Sequence, residues 1–271
     1  MSAAIVNYRD YDNTRRAVDT LLRHTVGVEL HLYVIDNASG DGCARRLKDE
    51  FPGVTVIEND VNGGFGYGHN RVLGGLDSAF HAVVNPDIFV DRDVLSELCA
   101  YMRDNPDVGL VTPKILNADG SDQLLPKRDP AVLALVGRRV FAKALRRQVE
   151  HYQMLDEDLS QTRDIEFSTG SFFVIETELF ERLQGFDPRF FMYYEDMDIT
   201  RRARALKRTV YCPFTHVYHL WRRSSASSAR YFWVLVVGMF KYFGKWGWKF
   251  RYSGDELAAA ARSDVTPPGE R

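Results

Sequence analysis

The chain has 271 residues, of which 45% are hydrophobic and 27% charged, and its formal net charge is −2. These values are typical of a globular protein with one large α/β domain or two small ones. The near-neutral charge argues against a general nucleic-acid binder. Three cysteines without paired spacing suggest neither a disulfide framework nor a zinc site, so a reducing, cytoplasmic compartment is expected.

The N-terminal residues lack the basic start and long apolar region of a signal peptide. The longest apolar run, Tyr231 to Phe240, is shorter than the roughly 18 residues needed to cross a bilayer. The sequence therefore predicts a protein that is soluble or bound peripherally to a membrane.

The first 42 residues follow the pattern of a parallel α/β sheet. A strand is predicted over 3–8, a helix over 14–24 and a second strand over 28–35. That strand ends at Asp36 and Asn37 and leads into a loop rich in Gly, Ser and Asp. Since ligands bind at the carboxyl ends of such strands, these two residues are candidates for a binding site.

A glycine-rich loop, 62–70, follows a predicted helix over 44–51 and a strand over 54–58. Its glycines allow close approach of backbone to a ligand. The loop follows the third strand and has His69 where a dinucleotide fingerprint would need glycine, so a dehydrogenase is disfavoured.

The next predicted strand, 79–84, ends in Asn85-Pro86-Asp87. Asp87 could ligate a metal that bridges a diphosphate, or it could form an Asx-type turn. Further on, the pattern predicts elements in this order: helix 93–105, strand 109–113, polar loop 117–128, helix 131–150, a mobile segment 151–164, a strand ending at 175, helix 178–183, helix 198–206 and strand 209–212.

An aromatic run, 190–194, leads directly into the acids Glu195, Asp196 and Asp198. Clustered carboxylates beside aromatic surface can act as a general base or hold a divalent cation. The same acids would also suit the first turn of a helix, where they complement its dipole.

A basic segment follows, because residues 199–254 contain no Asp or Glu but twelve Lys and Arg. Such a segment, with interspersed aromatics, suits phosphates or anionic lipid, although a solvated helix face is also consistent with it. Residues 230–252 are amphipathic enough to lie in a membrane interface, or they could pack on the core or on a second subunit of a homodimer. The polar tail from Asp255 is expected to be frayed.

Taken in order, six motifs resemble the family-two inverting glycosyltransferases of GT-A fold, and more narrowly the bacterial rhamnosyltransferases of cell-surface polysaccharide synthesis. They are Ile5-Val6-Asn7-Tyr8, residues 34–42, residues 62–66, Asn85-Pro86-Asp87, residues 168–172 and Gly185-Phe186-Asp187 through Glu195-Asp196. The resemblance implies a mixed, mainly parallel sheet flanked by helices. It places the transferase domain at 1–225, a basic-aromatic helical extension at 226–254 and a flexible tail at 255–271.

The resemblance also implies roles for individual residues. Asp196 would be the catalytic base, supported by Glu195. Asp87 and His219 would hold a divalent cation, Mg²⁺ or Mn²⁺, although Asn85 replaces the first acid of the family's Asp-x-Asp motif. Asp36 would bind the pyrimidine base. The remaining nucleotide-sugar contacts would come from Asn7, Tyr8, Asn37, Asn62, Gly64, Phe65, Asn85, Arg222 and Arg223, and acceptor contacts from Ser168, Thr169, Gly170, Ser171 and Tyr194.

The implied reaction is a single displacement that inverts the anomeric carbon. The expected donor is dTDP-L-rhamnose and the expected acceptor a lipid-linked saccharide at the cytoplasmic membrane face, with UDP-hexose or UDP-galactofuranose as alternative donors. A nucleotide-binding module without transferase activity and a sugar-phosphate nucleotidyltransferase are rival classes. The latter would carry a Gly-rich, basic signature after the first strand, which Asn7-Tyr8-Arg9-Asp10-Tyr11 is not.

Overall fold

The computed structural model describes residues 1–123, 126–137, 141, 143–220 and 229–263. One nine-stranded sheet forms its centre, in the spatial order β3-β2-β1-β4-β8-β6-β9-β5, with β7 also paired to β9. Its strands are β1 (Ser2–Asn7), β2 (His31–Asp36), β3 (Thr55–Glu58), β4 (Phe80–Val84), β5 (Ile88–Phe89), β6 (Val108–Leu116), β7 (Arg163–Asp164), β8 (Phe172–Glu176) and β9 (Arg208–His219).

Helices cover both faces of this sheet. They are α1 (Tyr11–His24), α2 (Cys43–Glu50), α3 (Phe65–His69), α4 (Val94–Asp104), α5 (Val132–Gly137), α6 (Arg146–Tyr152), α7 (Thr177–Arg182), α8 (Glu195–Arg204), α9 (Ala229–Trp246) and α10 (Gly254–Ser263). In α1 the buried residues Thr14, Ala17, Val18 and Leu21 recur at helical spacing, which explains why this stretch packs as an amphipathic helix. All six residues of β1 are buried, as expected for a parallel strand covered on both faces.

Strand direction decides where the chain's loops meet. Strands β3, β2, β1 and β4 are parallel, β8 runs antiparallel between β4 and β6, and β6 is parallel to β9. The carboxyl ends of β1, β2, β4, β6 and β9 therefore share one edge with the amino end of β8. The predicted mixed, mainly parallel sheet flanked by helices is confirmed.

The helix predicted over residues 131–150 is instead two helices, α5 and α6, with a turn at 143–145. A Cβ atom at Gly137 would lie 2.8 Å from Leu145 Cβ and 3.0 Å from Val149 Cγ2. The two helices thus pack against each other where Gly137 has no side chain, so a single straight helix cannot form.

The segment 151–164, predicted to be mobile, is held by buried charge. Arg128 pairs with Asp156 at 2.6 Å and with Glu157, and it donates to the carbonyl of His151 at 2.5 Å. Arg163 pairs with the same Glu157. Tyr152 and Met154 are also buried in hydrophobic clusters, so the segment is held by both charge and apolar contacts.

The strand predicted over 209–212 extends to His219. Its pairing with β6 shifts register between Pro113 and Lys114, so residues 213–215 of β9 form an irregularity, and pairing resumes at His216. Pro213 has no N–H to donate to a regular ladder, and the irregularity at this point does not require one, so the strand can contain it.

The flexible tail predicted from residue 255 starts instead as helix α10. Ser253 N donates to Glu256 Oε2 at 2.8 Å, and Glu256 N donates to Ser253 Oγ at 3.2 Å, which forms a capping box. Leu257 packs against the cluster that contains Tyr152 and Tyr252. Within the part of the chain that the structure covers, no helix is both long and apolar enough to cross a membrane.

Candidate active site

The shared sheet edge brings together most of the residues predicted for the site. Asn7 and Asp36 stand at the ends of β1 and β2, Asn85 follows β4, and His219 ends β9. Asn85 N donates to the carbonyl of Ser171 at 2.8 Å, which joins the turn after β4 to the loop before β8. Arg222 and Arg223, predicted to bind the diphosphate, lie outside the described residues.

A polar network fixes the end of the site at β1 and β2. The buried Asp36 carboxylate accepts from Asn7 Nδ2 at 2.7 Å, from Ser39 Oγ at 2.5 Å and from Ser39 N at 2.9 Å. Tyr8 is exposed beside it. Asp36 therefore orients its neighbours, and the remaining acceptor capacity of Oδ2 is what it can offer to a ligand.

The glycine loop is tied to the same network. Asn37 Nδ2 donates to the carbonyl of Gly64 at 2.9 Å, and Asn62 Oδ1 accepts from Gly64 N at 3.0 Å. Gly64 has φ +93°, and a Cβ atom there would lie 1.9 Å from the carbonyl oxygen of Phe191. That oxygen accepts from Phe65 N at 2.9 Å. Only glycine at position 64 lets the two loops touch.

Asp87 and His219, predicted to hold the cation, are in contact, with His219 Nε2 3.2 Å from Asp87 Oδ1. Gln123 fixes the imidazole, because its Nε2 donates to the His219 carbonyl at 3.0 Å and its Oε1 lies 3.0 Å from Nδ1. This arrangement leaves Nε2 as the ring nitrogen that faces the carboxylate. An imidazole nitrogen and a carboxylate oxygen are both common metal ligands, so the pair is a candidate for holding a cation.

One carboxylate and one imidazole make an incomplete ligand set. No group of three or more metal-ligating side chains occurs among the described residues. Mg²⁺ and Mn²⁺ commonly take only one or two carboxylates from the protein and the remaining oxygens from a bound diphosphate and water. The pair therefore fits a cation that arrives with its nucleotide.

The two predicted catalytic acids begin helix α8. Asp196 Oδ2 accepts from Gly170 N at 3.1 Å, and Oδ1 accepts from Met197 N at 2.9 Å. The preceding Tyr193 and Tyr194 both have φ of 69°. Consecutive left-handed residues that are not glycine are costly, and such strain is often found where side chains must be aimed for function.

The environments of the two acids differ. Burial raises the pKa of Asp196, and the N–H groups of Gly170 and Met197 and the charge of Lys127 partly oppose that rise. Burial and the adjacent charge of Asp196 raise the pKa of Glu195 to about 8. Glu195 Oε2 is buried and has no hydrogen-bond partner among the described residues. Of the two acids, Asp196 is the one whose charged form receives backbone hydrogen bonds and a neighbouring cation, which suits it to the role of proton acceptor.

The residues predicted to bind the acceptor divide into two groups. Thr169 Oγ1 and Ser171 Oγ lie 2.7 Å apart beside the Asp196 loop. Ser168 is buried, and its backbone exchanges hydrogen bonds with Thr200 Oγ1 of α8. The ring of Tyr194 packs against Tyr242 of α9 with centroids 5.7 Å apart. Ser168 and Tyr194 therefore make structural contacts to α8 and α9 that support the site.

Two polar residues of the site escaped prediction from the sequence. Gln123 orients His219, and the buried Lys127 acts electrostatically on Asp196. A backbone bridge between Lys127 and Phe167 places that lysine, with Phe167 N donating to the Lys127 carbonyl at 3.1 Å. The only hint in the sequence was the polar character of the loop 117–128.

The third acid of the cluster, Asp198, has a structural role. It is fully buried, pairs with Arg202 at 2.8 Å and with Lys245 at 2.6 Å, and accepts from Trp246 Nε1 at 2.8 Å. Asp198 thus joins α8 to the end of α9.

A cavity of about 380 Å³ lies at the opposite end of β6 and β9, lined by Asp107, Asp164 and Arg208 among others. Arg208 pairs there with both acids, at 2.9 Å and 2.7 Å. This cavity lies at the amino ends of β6 and β9, so it is separate from the candidate site at their carboxyl ends.

Residues 1–237 match the family described as Glycosyltransferase like family 2. The chain belongs to this family, because the match covers most of its length.

Among curated relatives, an N-acetylglucosaminyl-diphospho-decaprenol L-rhamnosyltransferase of Mycobacterium tuberculosis is 26% identical over 197 residues, covering 68% of this chain and 64% of the relative. The low-salt glycan biosynthesis hexosyltransferase Agl10 of Haloferax volcanii is 23% identical over 208 residues, covering 75% and 61%. The chain thus spans less than two thirds of the length of either relative.

Solved structures agree with the fold. Mannosyltransferase PcManGT from Pyrobaculum calidifontis, in complex with GDP-Man and Mn²⁺, superposes with a TM-score of 0.60 at 17% identity, covering 98% of this chain and 76% of that one. GalNAc-T7 with UDP, GalNAc and Mn²⁺ gives a TM-score of 0.62 at 15% identity, covering 82% and 43%. The chain has the GT-A glycosyltransferase fold.

Proposed function

We propose that the chain is an inverting glycosyltransferase that transfers a sugar, L-rhamnose from dTDP-L-rhamnose in the first instance, to a lipid-linked saccharide. The observation that carries the proposal is the Asp196 carboxylate, held by Gly170 N at 3.1 Å at the sheet edge that also carries the Asp87–His219 pair. A base and a cation site at one edge match the needs of glycosyl transfer from a nucleoside diphosphate.

The chemistry assigned to the protein's own residues is a single displacement. Asp196 accepts the proton of an acceptor hydroxyl, and that oxygen forms a bond to the anomeric carbon. The bond from this carbon to the diphosphate oxygen breaks on the opposite face, so the configuration inverts. Burial and the neighbouring charge of Asp196 raise the pKa of Glu195, so Glu195 favours its protonated form beside Asp196.

A divalent cation, Mg²⁺ or Mn²⁺, would be held by Asp87 and His219 and would neutralise charge on the departing diphosphate. Gln123 keeps the imidazole in the orientation that this role requires. The Asp36–Asn7–Ser39 network and the loop at Gly64 would shape the nucleotide pocket.

The choice of donor and acceptor follows the relatives. The mycobacterial relative is named for L-rhamnose and a diphospho-decaprenol acceptor, which supports rhamnose and a lipid-linked acceptor. The archaeal relative is named as a hexosyltransferase, and it supports the alternative of a UDP-linked hexose donor. UDP-galactofuranose remains a further alternative within the same reaction class.

The test is thermal stabilisation by dTDP-L-rhamnose, UDP-glucose and UDP-galactofuranose, each with and without Mn²⁺ or Mg²⁺. A ligand that binds only the folded state raises the melting temperature by mass action. We expect the largest shift with dTDP-L-rhamnose and metal, and loss of the metal-dependent part in Asp87→Asn. A shift with UDP-sugars alone would show that the donor is a UDP-sugar and not dTDP-L-rhamnose. The absence of a shift with any nucleotide would overturn the assignment as a transferase.

A further inference from the structure

An apolar groove runs between the loop 190–192 and helix α9. Its volume is about 410 Å³, and its lining includes Phe191, Met192, Trp233, Val234, Val237 and Lys241. Trp233 is 64% exposed and Val237 47% exposed, so α9 presents large apolar side chains at the groove rather than burying them. Ligand pockets for small molecules commonly start at about 300 Å³.

The groove is continuous with the catalytic loop. Phe191, on one wall, accepts from Phe65 N through its carbonyl at 2.9 Å. On the other wall, a Cβ atom at Gly238 would lie 2.9 Å from the Tyr194 ring and 3.2 Å from the Tyr193 carbonyl. The loop that forms one wall of the groove is therefore followed, within four residues of Met192, by the proposed base Asp196.

A single cation marks the lining of the groove. Lys241 is exposed, and its Nζ donates to the carbonyl of Arg189 at 2.5 Å, a contact that leaves its charge unneutralised. Asp187, two residues before Arg189, is paired instead with Arg189 and Lys245. Hydrocarbon lining with one positive charge is complementary to a prenyl chain that carries a diphosphate.

We propose that this groove binds the isoprenoid chain of a lipid-diphosphate acceptor, with Lys241 beside the diphosphate. This inference rests on the proposed function, because it assigns the substrate of the same site. It assigns the groove to one bound chain that leads toward Asp196. General adsorption of α9 to a bilayer would instead use the whole exposed face of the helix, including Phe240, which lies outside the groove lining.

Isothermal titration calorimetry of the full chain with farnesyl and isopentenyl diphosphate, below their micelle concentrations, tests this assignment. Both probes carry the same diphosphate, so a difference in affinity reports the chain. We expect farnesyl diphosphate to bind at least about ten-fold more tightly, since each buried methylene adds roughly 0.8 kcal/mol. Lys241→Met should weaken both probes by a similar factor.

Two matched variants of α9 separate the groove from the rest of the helix face. Val237→Asp places a charge in the groove, and Phe240→Asp places the same charge at a somewhat more exposed position outside it. We expect Val237→Asp to lower farnesyl affinity about ten-fold and Phe240→Asp to change it less than about two-fold. Equal affinities for the two probes, or equal losses in the two variants, would overturn the groove assignment.

A measurement of donor binding distinguishes failure of the groove assignment from failure of the proposed function. Both variants should retain the melting-temperature shift with dTDP-L-rhamnose and metal, which also shows that they are folded. If the wild type prefers farnesyl diphosphate but no nucleotide sugar stabilises it, the transferase assignment fails while prenyl binding by the groove stands. If sedimentation shows that Val237→Asp dissociates a dimer without changing farnesyl affinity, the groove is a subunit contact and the proposal is wrong.

Discussion

The two ends of the candidate site are built on opposite principles. At the end proposed to bind the nucleotide, Asp36 accepts three hydrogen bonds from Asn7 and Ser39, and Asn37 is bonded through both its amide atoms. At the catalytic end, Glu195 Oε2 is buried with no hydrogen-bond partner among the described residues, and two left-handed tyrosines precede it. Satisfied polar groups make a rigid recognition surface, whereas dehydrated acids keep a raised pKa for proton transfer.

The sharpest way to separate the two ends is Asp196→Asn. We expect transfer to fall about 10³-fold, because general base catalysis contributes roughly 10²–10⁴. The amide oxygen can still accept from Gly170 N, but the amide nitrogen cannot accept from Met197 N, so we expect a small decrease in melting temperature and no loss of the donor-induced shift. Single-turnover transfer measures the loss. A decrease smaller than about ten-fold would remove Asp196 from the role of base.

Gly64→Ala should break the contact between the two ends. The new Cβ would lie 1.9 Å from the Phe191 carbonyl at a residue with φ +93°, so we expect a loss of about 2–4 kcal/mol in the free energy of unfolding and a large loss of transfer. Urea denaturation gives the first quantity.

The matched control for this substitution is Gly74→Ala, which has φ +73° and no neighbour within 4 Å. It should cost only about 1 kcal/mol from backbone strain. Equal destabilisation of the two variants would show that the contact with Phe191 contributes nothing of its own.

Lys127→Met should affect the catalytic end alone. Because the charge of Lys127 lowers the pKa of Asp196 against the effect of burial, its removal moves the acidic limb of the pH–rate profile to higher pH. We expect roughly ten-fold slower transfer on that limb and a much smaller change on the plateau. Lys114→Met, which removes a surface partner of Asp122, is the control and should leave the profile in place. A uniform decrease at all pH values for Lys127→Met would point to packing instead.

Glu195→Gln should change stability as a function of pH. The pKa of Glu195 is raised in the folded state from 4.5 to about 8, so its contribution to stability is present below 4.5 and is lost as the pH rises to about 8. Glutamine does not titrate. After a pH-independent offset is subtracted, the variant should gain on the order of 3 kcal/mol over wild type between pH 5 and pH 8. Denaturation at several pH values checks this, and parallel curves would contradict it.

The sequence predicted those parts of the site that depend on strand order. Asp36 and Asp87 follow buried strands, and the carboxyl ends of parallel strands meet at one edge, so their placement needed no tertiary detail. The length of β9 was missed because Pro213 interrupts its pattern, although the irregularity there accommodates it. The contribution of Lys127 was missed because a bridge to Phe167, forty residues away, positions it.

The separate roles of the acids between residues 195 and 198 could not be predicted from the sequence either. Adjacent positions in the sequence suggested one carboxylate group, but residues two apart on a helix point in different directions. Asp196 consequently reaches Gly170, while Asp198 is directed to Lys245 and Trp246. The roles assigned to the two catalytic acids and to the cation pair stay predictions until transfer is measured.

The buried Asp198 also bears on how the molecule unfolds. Its partners Lys245 and Trp246 belong to α9, so detaching that helix would remove two contacts of the buried carboxylate and leave Arg202 as its charged partner. The domain boundary predicted near residue 225 is therefore not expected to separate two units that unfold independently. We expect the sheet and the C-terminal helix to melt in one cooperative transition, and a chain that ends before α9 to be far less stable than the whole.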